Sequence, residues 1–279
     1  MKITLALPSR GRPSGLLSVL TSMDALATGN HDITYALIVD DDDYVTLEQL
    51  EHWNKSGFLP DRTLIFQGAR TATVNARVND AIGVCPADLY SQIVDDGFPL
   101  SQHWDAIFYG AKDIPAFCWQ EMNDPTNSTF LIISEKWRQA AGRFYPDGFP
   151  FWFADTWIAE VYKLAFDMPI SIIQQLRMGG KRGTTLGMRD LAFWFRFFAF
   201  TRTERILEAE TIAAAYGEYV DVRKDRAQAL EQMEAGDAYQ LTQVSRYEAV
   251  FKANLGEPSE LYKACKAKAE EVLALRVAA

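Results

Sequence analysis

Two apolar runs in this chain end abruptly in acids, and that pairing restricts the fold more than any other feature. One is ITYALIVDDDD, from Ile33 to Asp43; the other is LYSQIVDDGFP, from Leu89 to Pro99. Both runs have strand length, and Gly97 and Pro99 are expected to stop the second strand and turn the chain. Acids at the carboxyl end of a strand face the crevice where α/β proteins bind ligands. Neighbouring ionised carboxylates repel each other, so they persist where a divalent cation, a helix start or ligand hydroxyls neutralise them. The second pair, Asp95 and Asp96, therefore reads as a metal-diphosphate site, with an acidic turn after a core strand as the alternative. Of the tetrad Asp40 to Asp43, Asp40 and Asp42 are the ligand candidates. Thr46 and Gln49 form a capping-box pattern, which assigns Asp43 to the approach of a helix running through Trp53.

The other elements fall in order around these two runs. Ile3 to Leu7 read as a first buried strand, followed by the loop PSRGRPSG and a helix with Leu16, Val19, Leu20, Met23 and Leu26 at helical spacing. Ser14 is its expected N-cap. Arg10 and Arg12 stand where they could meet a phosphate or a nucleobase, or simply be solvated. Arg62 to Gln67 make a third strand, and Val74, Val78, Ala81 and Ile82 the apolar stripe of the next helix, with Arg77 and Asn79 off that stripe. Strand-helix repeated three times before a fourth strand implies an α/β fold, with a mainly parallel sheet and helices on both faces. Further on, IPAFCWQEM and STFLIIS read as strands, Ser134 to Gly142 as a short capped helix, and Trp157, Ile158, Val161, Leu164 and Ala165 as a helix face.

Four pieces in this order, LALPSRGRP, IVDDDD, ARVNDAIG and QIVDDGF followed by HWD, resemble the GT-A glycosyltransferases, in particular the inverting family-two type. The resemblance covers about residues 1 to 180. It implies a metal-dependent transferase that moves a sugar from a nucleotide-diphosphate donor, a UDP-sugar in the commonest case, to an acceptor hydroxyl. Carried over by position, Asp40 and Asp42 would contact the nucleoside, and Arg77 and Asn79 the donor; Pro8 and Arg10 are further candidates for donor binding. Asp95 and Asp96 would hold a Mn or Mg ion, Asp96 being the direct ligand. Asp155, in the run FYPDGFPFWFADTW, matches the acid that takes the acceptor's proton; its alternative is a helix N-cap. One departure is that the three histidines, His31, His52 and His103, all precede Asp155, so the third metal ligand that many relatives supply after it has no counterpart.

Charge is unevenly spread. The chain carries a net -9, yet between Arg177 and Arg205 seven basic residues face only Asp190 and Glu204. Gly179, Gly180, Gly183 and Gly187 make the first part of this segment pliable, and Lys181 and Arg182 are placed to close over a diphosphate as a lid, the alternative being a solvated linker. The aromatic stretch from Leu191 to Phe200 is too short to span a bilayer and reads first as a buried helix, otherwise as a membrane-surface or nucleic-acid contact. From Arg202 the pattern is helical, with apolar positions including Leu230, Met233, Tyr247 and Val250. The division expected is a catalytic domain over 1–200 and a helical extension over 201–279.

Three distant cysteines, Cys85, Cys118 and Cys265, suggest buried thiols rather than disulfides or a zinc site, and the basic residues after the first apolar run are the reverse of a signal peptide. A cytoplasmic protein is expected. A nucleotidyltransferase is disfavoured because PSRGRPSG lacks the lysine of a phosphate loop. A non-catalytic sugar-nucleotide or glycan binder is the rival from another class. For the acceptor, the basic segment favours hydroxymethylated pyrimidines in phage-type DNA, and the resembled family favours a cell-surface glycan or lipid-linked sugar.

Overall fold

In β1 (Lys2–Ser9), Ile3, Leu5 and Leu7 point to one side of the sheet and are fully buried. The computed structural model describes residues 1–70, 73–122, 125, 129–146, 148–150, 153–180, 190–217, 258 and 260–277. β1 lies between two parallel neighbours, β2 (Asp32–Asp40) and β4 (Leu89–Gln92), and β2 is flanked by parallel β3 (Thr63–Gly68). The crossovers are α1 (Pro13–Leu26), α2 (Tyr44–Lys55) and α3 (Val74–Val84). Alternate strand residues serve two layers, as the period of a strand demands. Ile3, Leu5 and Leu7 of β1, with Tyr35, Leu37 and Val39 of β2, share one core with Leu16, Leu20 and Met23 of α1 and Leu50 and Trp53 of α2. Thr4, on the opposite side, hydrogen-bonds the carbonyl of Cys85 just after α3. Helices thus cover both faces.

The sheet continues through β5 (Gly97–Pro99), β6 (Ala116–Glu121), β7 (Leu131–Ser134) and β8 (Ser171–Gly180), with α4 (Trp104–Gly110) after β5 and α5 (Glu135–Ala141) after β7. The eight strands are ordered β3-β2-β1-β4-β7-β6-β8-β5. β7 runs antiparallel to β4 and β6, and β5 antiparallel to β8, so the parallel half is the half that carries the two acidic ends. Gly97 and Pro99 do not end the chain's extended path as expected. The turn falls on Asp95 and Asp96 themselves, and Gly97 opens β5.

The chain divides into two compact units, Met1–Tyr145 with Ile170–Gly183, and Pro146–Pro169 with Thr184–Ala279. This differs from a boundary at residue 200. The second unit holds α6 (Ala154–Phe166), α7 (Leu191–Phe200), α8 (Arg202–Ala215) and α9 (Glu260–Val277). Its core is aromatic: Phe149 packs against Trp157 of α6 and against Trp194, Phe197 and Phe198 of α7, which ties α6 and α7 together. Trp194, Phe195, Phe197 and Phe198 of the aromatic stretch are therefore buried, as its composition implied. Leu230, Met233, Tyr247 and Val250 lie outside the described residues.

Local signals explain most element ends. Ser134 caps α5 by accepting the amide of Trp137, and Gly142 closes it with a left-handed φ of 75°. Two starts differ from expectation. α1 begins at Pro13 rather than after Ser14, because a proline at the first helical position has no amide to leave unpaired. α2 begins at Tyr44, and its cap is the Asp43 carboxylate, which accepts the amide of Thr46; Thr46 is inside the helix and not its cap. On α3 the buried face uses Asn75 where Val74 was expected, and Val74 is exposed. Cys85 and Cys118 are buried, whereas Cys265 is only partly covered.

Candidate active site

Strand register brings the two acidic ends to one edge. β1 pairs with β2 as Pro8 with Ile38 and Ser9 with Val39, which sets Arg10 level with Asp40. β1 pairs with β4 as Ala6 with Gln92, which by the same offset sets Ser9 level with Asp95. The loop after β1 is thus flanked by acids on both sides. Arg10 Nη1 donates to Asp40 Oδ2 at 2.9 Å, and its guanidinium forks onto both carboxylate oxygens of Asp42. Arg12 reaches the other way, with Nη1 at 2.9 Å from Asp96 Oδ2 and Nη2 at 2.5 Å from Asp95 Oδ1. Ser9 Oγ donates to Asp95 Oδ2 at 2.7 Å.

The four acids of the tetrad divide their work. Asp43 is buried and accepts the amides of Gly11 at 2.7 Å and Thr46 at 3.3 Å, so it fixes the β1 loop to the start of α2. Burial opposes its ionisation, but these hydrogen bonds hold its carboxyl below the usual range. Asp42 is lowered by the hydrogen bond from Arg10, and Arg10 is raised by the same contact. Arg77 of α3 is largely buried; it donates to the carbonyls of Ala69 and Phe66 and lies 4.0 Å from Asp40 Oδ1. It lines a cleft of about 340 Å³ with Phe66, Gln67, Gly68, Ala69 and Asp80, beside the carboxyl end of β3.

Asp95 and Asp96 differ in exposure. The Asp95 side chain is fully buried and that of Asp96 is 23% exposed. Burial, with the neighbouring charge of Asp96 adding to it, pushes the Asp95 carboxyl up against the opposing pull of Ser9 and Arg12. Asp95 Oδ1 has no hydrogen bond of ordinary geometry despite the nearby guanidinium. α1 packs tightly behind this turn, since a Cβ on Gly15 would sit 2.5 Å from the Asp95 carbonyl oxygen.

No protein-family model matches the chain, and no curated protein matches it by sequence. Solved structures do match. Residues 1–349 of S. aureus TarS in complex with UDP-GlcNAc superpose with a TM-score of 0.55 at 12% identity, over 77% of this chain and 71% of that one. The mannosyltransferase PcManGT from Pyrobaculum calidifontis, in complex with GDP-Man and Mn2+, gives 0.54 at 13% identity, over 99% of this chain and 79% of that one. The fold is that of the GT-A glycosyltransferases. It agrees with the resemblance carried by the four sequence pieces. A second structure of S. aureus TarS also matches, with a TM-score of 0.55 at 9% identity, over 88% of this chain and 49% of that one.

In this GT-A sheet, the donor set at the β4 end suits a hard divalent cation. It offers a partly exposed Asp96 carboxylate and a buried Asp95 oxygen, both ion-paired to Arg12. Among the described residues no group of three protein ligands gathers. His103 is exposed and supplies the left-handed N-cap residue of α4, where its amide donates to the Leu26 carbonyl.

The remaining candidates have other surroundings or lie outside the described residues. Asn79 spends its amide on the backbone: Oδ1 accepts the amides of Phe144 and Tyr145, and Nδ2 donates to the Tyr145 carbonyl. Pro8 is within β1. Asp155 lies in the first turn of α6, whose N-cap is Phe153 with a left-handed φ of 69°, so Asp155 is not the cap residue. Its Oδ1 accepts the Thr156 amide at 2.8 Å, and burial pushes its carboxyl up. Lys181 and Arg182 are outside the described residues. Sequence reasoning did not single out Ser9, and it left Arg12 without a partner; both become legible once β4 is known to pair beside β1.

Proposed function

We propose that the chain is a metal-dependent glycosyltransferase that moves a sugar from a nucleotide-diphosphate donor, with UDP-sugar the first choice, to an acceptor hydroxyl with inversion. The observation that carries this is the pair of acidic strand ends, Asp40 with Asp42 and Asp95 with Asp96, set on either side of one arginine-bearing loop at the carboxyl edge of a GT-A sheet. Asp40 and Asp42 accept hydrogen bonds from the nucleoside, with Pro8, Arg10 and Arg77 shaping that end. Asn79 acts indirectly, by holding residues 144 and 145. Asp96 would be the direct ligand of a Mg or Mn ion, with Asp95, held in place by the hydrogen bond from Ser9, as the second carboxylate beside it. The ion, when bound, offsets charge on the departing diphosphate. Lys181 and Arg182 close over the diphosphate. Asp155 takes the proton of the acceptor hydroxyl, and its raised affinity for protons suits a general base.

For the acceptor, burial changes the balance between modified DNA and glycan. Arg205 is fully buried, ion-paired to Glu160 at 2.7 Å and stacked 3.7 Å from the centre of the Phe198 ring. Trp194, Phe195, Phe197 and Phe198 are buried too, which removes them as stacking platforms for bases. A glycan or other polyhydroxylated acceptor is the better fit, and hydroxymethylated DNA becomes the second acceptor to assay. No helix among the described residues is long and apolar enough to cross a membrane.

The test is release of nucleotide diphosphate from a panel of UDP- and GDP-sugars, with Mn, Mg or chelator, on oligosaccharide, lipid-linked and hydroxymethylated duplex acceptors. Metal-dependent release that needs an acceptor supports the proposal. Donor binding without turnover on any acceptor would make the chain a sugar-nucleotide-binding protein instead.

A further inference from the structure

We infer that Arg12 is a built-in counter-cation of the Asp95–Asp96 pair, which competes with the divalent ion for the same oxygens and must swing away before the ion can bind. This rests on the proposed metal site. The Arg12 guanidinium touches Asp95 Oδ1 and Asp96 Oδ2 at once, at 2.5 and 2.9 Å. A cation ligated by Asp96 and close to Asp95 Oδ1 would have to share that space, and two positive groups a few ångströms apart repel. The carboxylates cannot easily move to admit both. Asp95 is buried and pinned by Ser9, and the backbone carbonyl of Asp95 is in tight contact with the α1 helix at Gly15.

Arg12 can move. Its side chain is 52% exposed, and Asp95 and Asp96 are the only groups that hold it among the described residues. Gly11, just before it, is held by the Asp43 carboxylate at a left-handed φ of 66°, and Pro13, just after it, starts α1. A side-chain rotation therefore suffices, with the loop kept in place. Once released, the guanidinium remains within a side chain's length of the acids, where diphosphate oxygens are its strongest available acceptors. Ion and nucleotide would then bind cooperatively: the ion displaces Arg12, and the diphosphate gives it a new partner.

Mn2+ binding to the whole chain, read from the loss of the free-ion paramagnetic resonance signal, tests this with and without UDP. Four proteins are compared: wild type, Arg12→Met, Arg12→Lys and Asp96→Asn. Arg12→Met should bind free Mn2+ roughly ten- to hundredfold more tightly than wild type, the range set by one charge-assisted hydrogen bond and one ion pair that no longer need breaking. UDP should strengthen Mn2+ binding less in Arg12→Met than in wild type. Arg12→Lys, a point charge in place of a two-pronged one, should fall between them, and it decides the matter if Arg12→Met does not fold. Asp96→Asn should bind no Mn2+. If Asp96→Asn loses the ion but Arg12→Met and Arg12→Lys bind it no better than wild type, the competition is wrong while the metal site stands. If no protein takes up Mn2+, even with UDP, the metal site is wrong and the competition with it.

Discussion

Ser9 and Asp95 are joined across two parallel strands: the hydroxyl at the end of β1 donates to the buried carboxylate after β4 at 2.7 Å. Removing the hydroxyl leaves a buried acceptor unsatisfied, so Ser9→Ala should destabilise the fold by about 1–3 kcal/mol at neutral pH, measured by chemical denaturation. The pH dependence has a defined sign. Burial already raises the Asp95 carboxyl above its ordinary 3.8, so the folded state binds its proton more tightly than the unfolded chain does. Its ionisation then subtracts stability as pH rises through the raised value. Ser9→Ala raises it further, so the penalty should shrink as pH falls towards 3.8. A penalty that is the same at both ends would place the effect in packing instead of charge.

Asp96→Asn tests the ligand role at the less buried member of the pair. With 23% of the side chain exposed and no backbone group depending on it, the change should leave the melting temperature within a few degrees. Turnover at saturating donor should fall by roughly a hundredfold or more, because a neutral amide is a poor ligand for a hard cation. Wild-type turnover at ordinary metal concentration would remove Asp96 from the site.

Asp155→Asn addresses the proposed base. Donor affinity, measured by titration with UDP, should be unchanged, while kcat falls by about 10² to 10⁴, the range for loss of a positioned general base. In the wild type the group works only when ionised, and burial holds its carboxyl above 3.8. The acidic limb of the kcat profile should therefore lie above the ordinary carboxylate range and vanish in the variant. Weakened donor binding would mean that Asp155 belongs to the donor site.

Much of this was legible in the chain because its signals are local. The strand runs, the helix stripes and the Ser134 and Gly142 caps depend on a few neighbouring residues, and the acidic ends stand out because their self-repulsion needs a reason. What sequence could not supply was partnership over long separations. Arg12 and Asp96 are 84 residues apart, and Ser9 and Asp95 are 86, and only the strand order β2-β1-β4 makes them neighbours. Asn79 was expected at the donor because the resemblance puts a donor contact at that position, off the apolar stripe of α3. Its amide meets the backbone of residues 144 and 145, which no pattern within α3 announces. Thr46 and Gln49 imitated a capping box because the pattern cannot tell a helix start from a position three residues into it, and the Asp43 carboxylate had the better geometry.

A pair of glycines separates the packing of the site from helix propensity. Gly15 in α1 and Gly83 in α3 are both helical, so alanine at either should gain about 1 kcal/mol from propensity alone. Around Gly83 nothing lies within 4 Å of an added Cβ, and Gly83→Ala should show that gain with activity unchanged. At Gly15 the same atom would meet the Asp95 carbonyl oxygen at 2.5 Å, a backbone atom that cannot rotate away. Relief requires α1 or the acidic turn to shift, at a cost of about 1–3 kcal/mol that exceeds the gain. Gly15→Ala should therefore be less stable than wild type, and because the turn carries both Asp95 and Asp96, KM for the donor and the affinity for Mn2+ should worsen together. If Gly15→Ala is as stable as Gly83→Ala and binds Mn2+ normally, the contact between α1 and the acidic turn does not position the site.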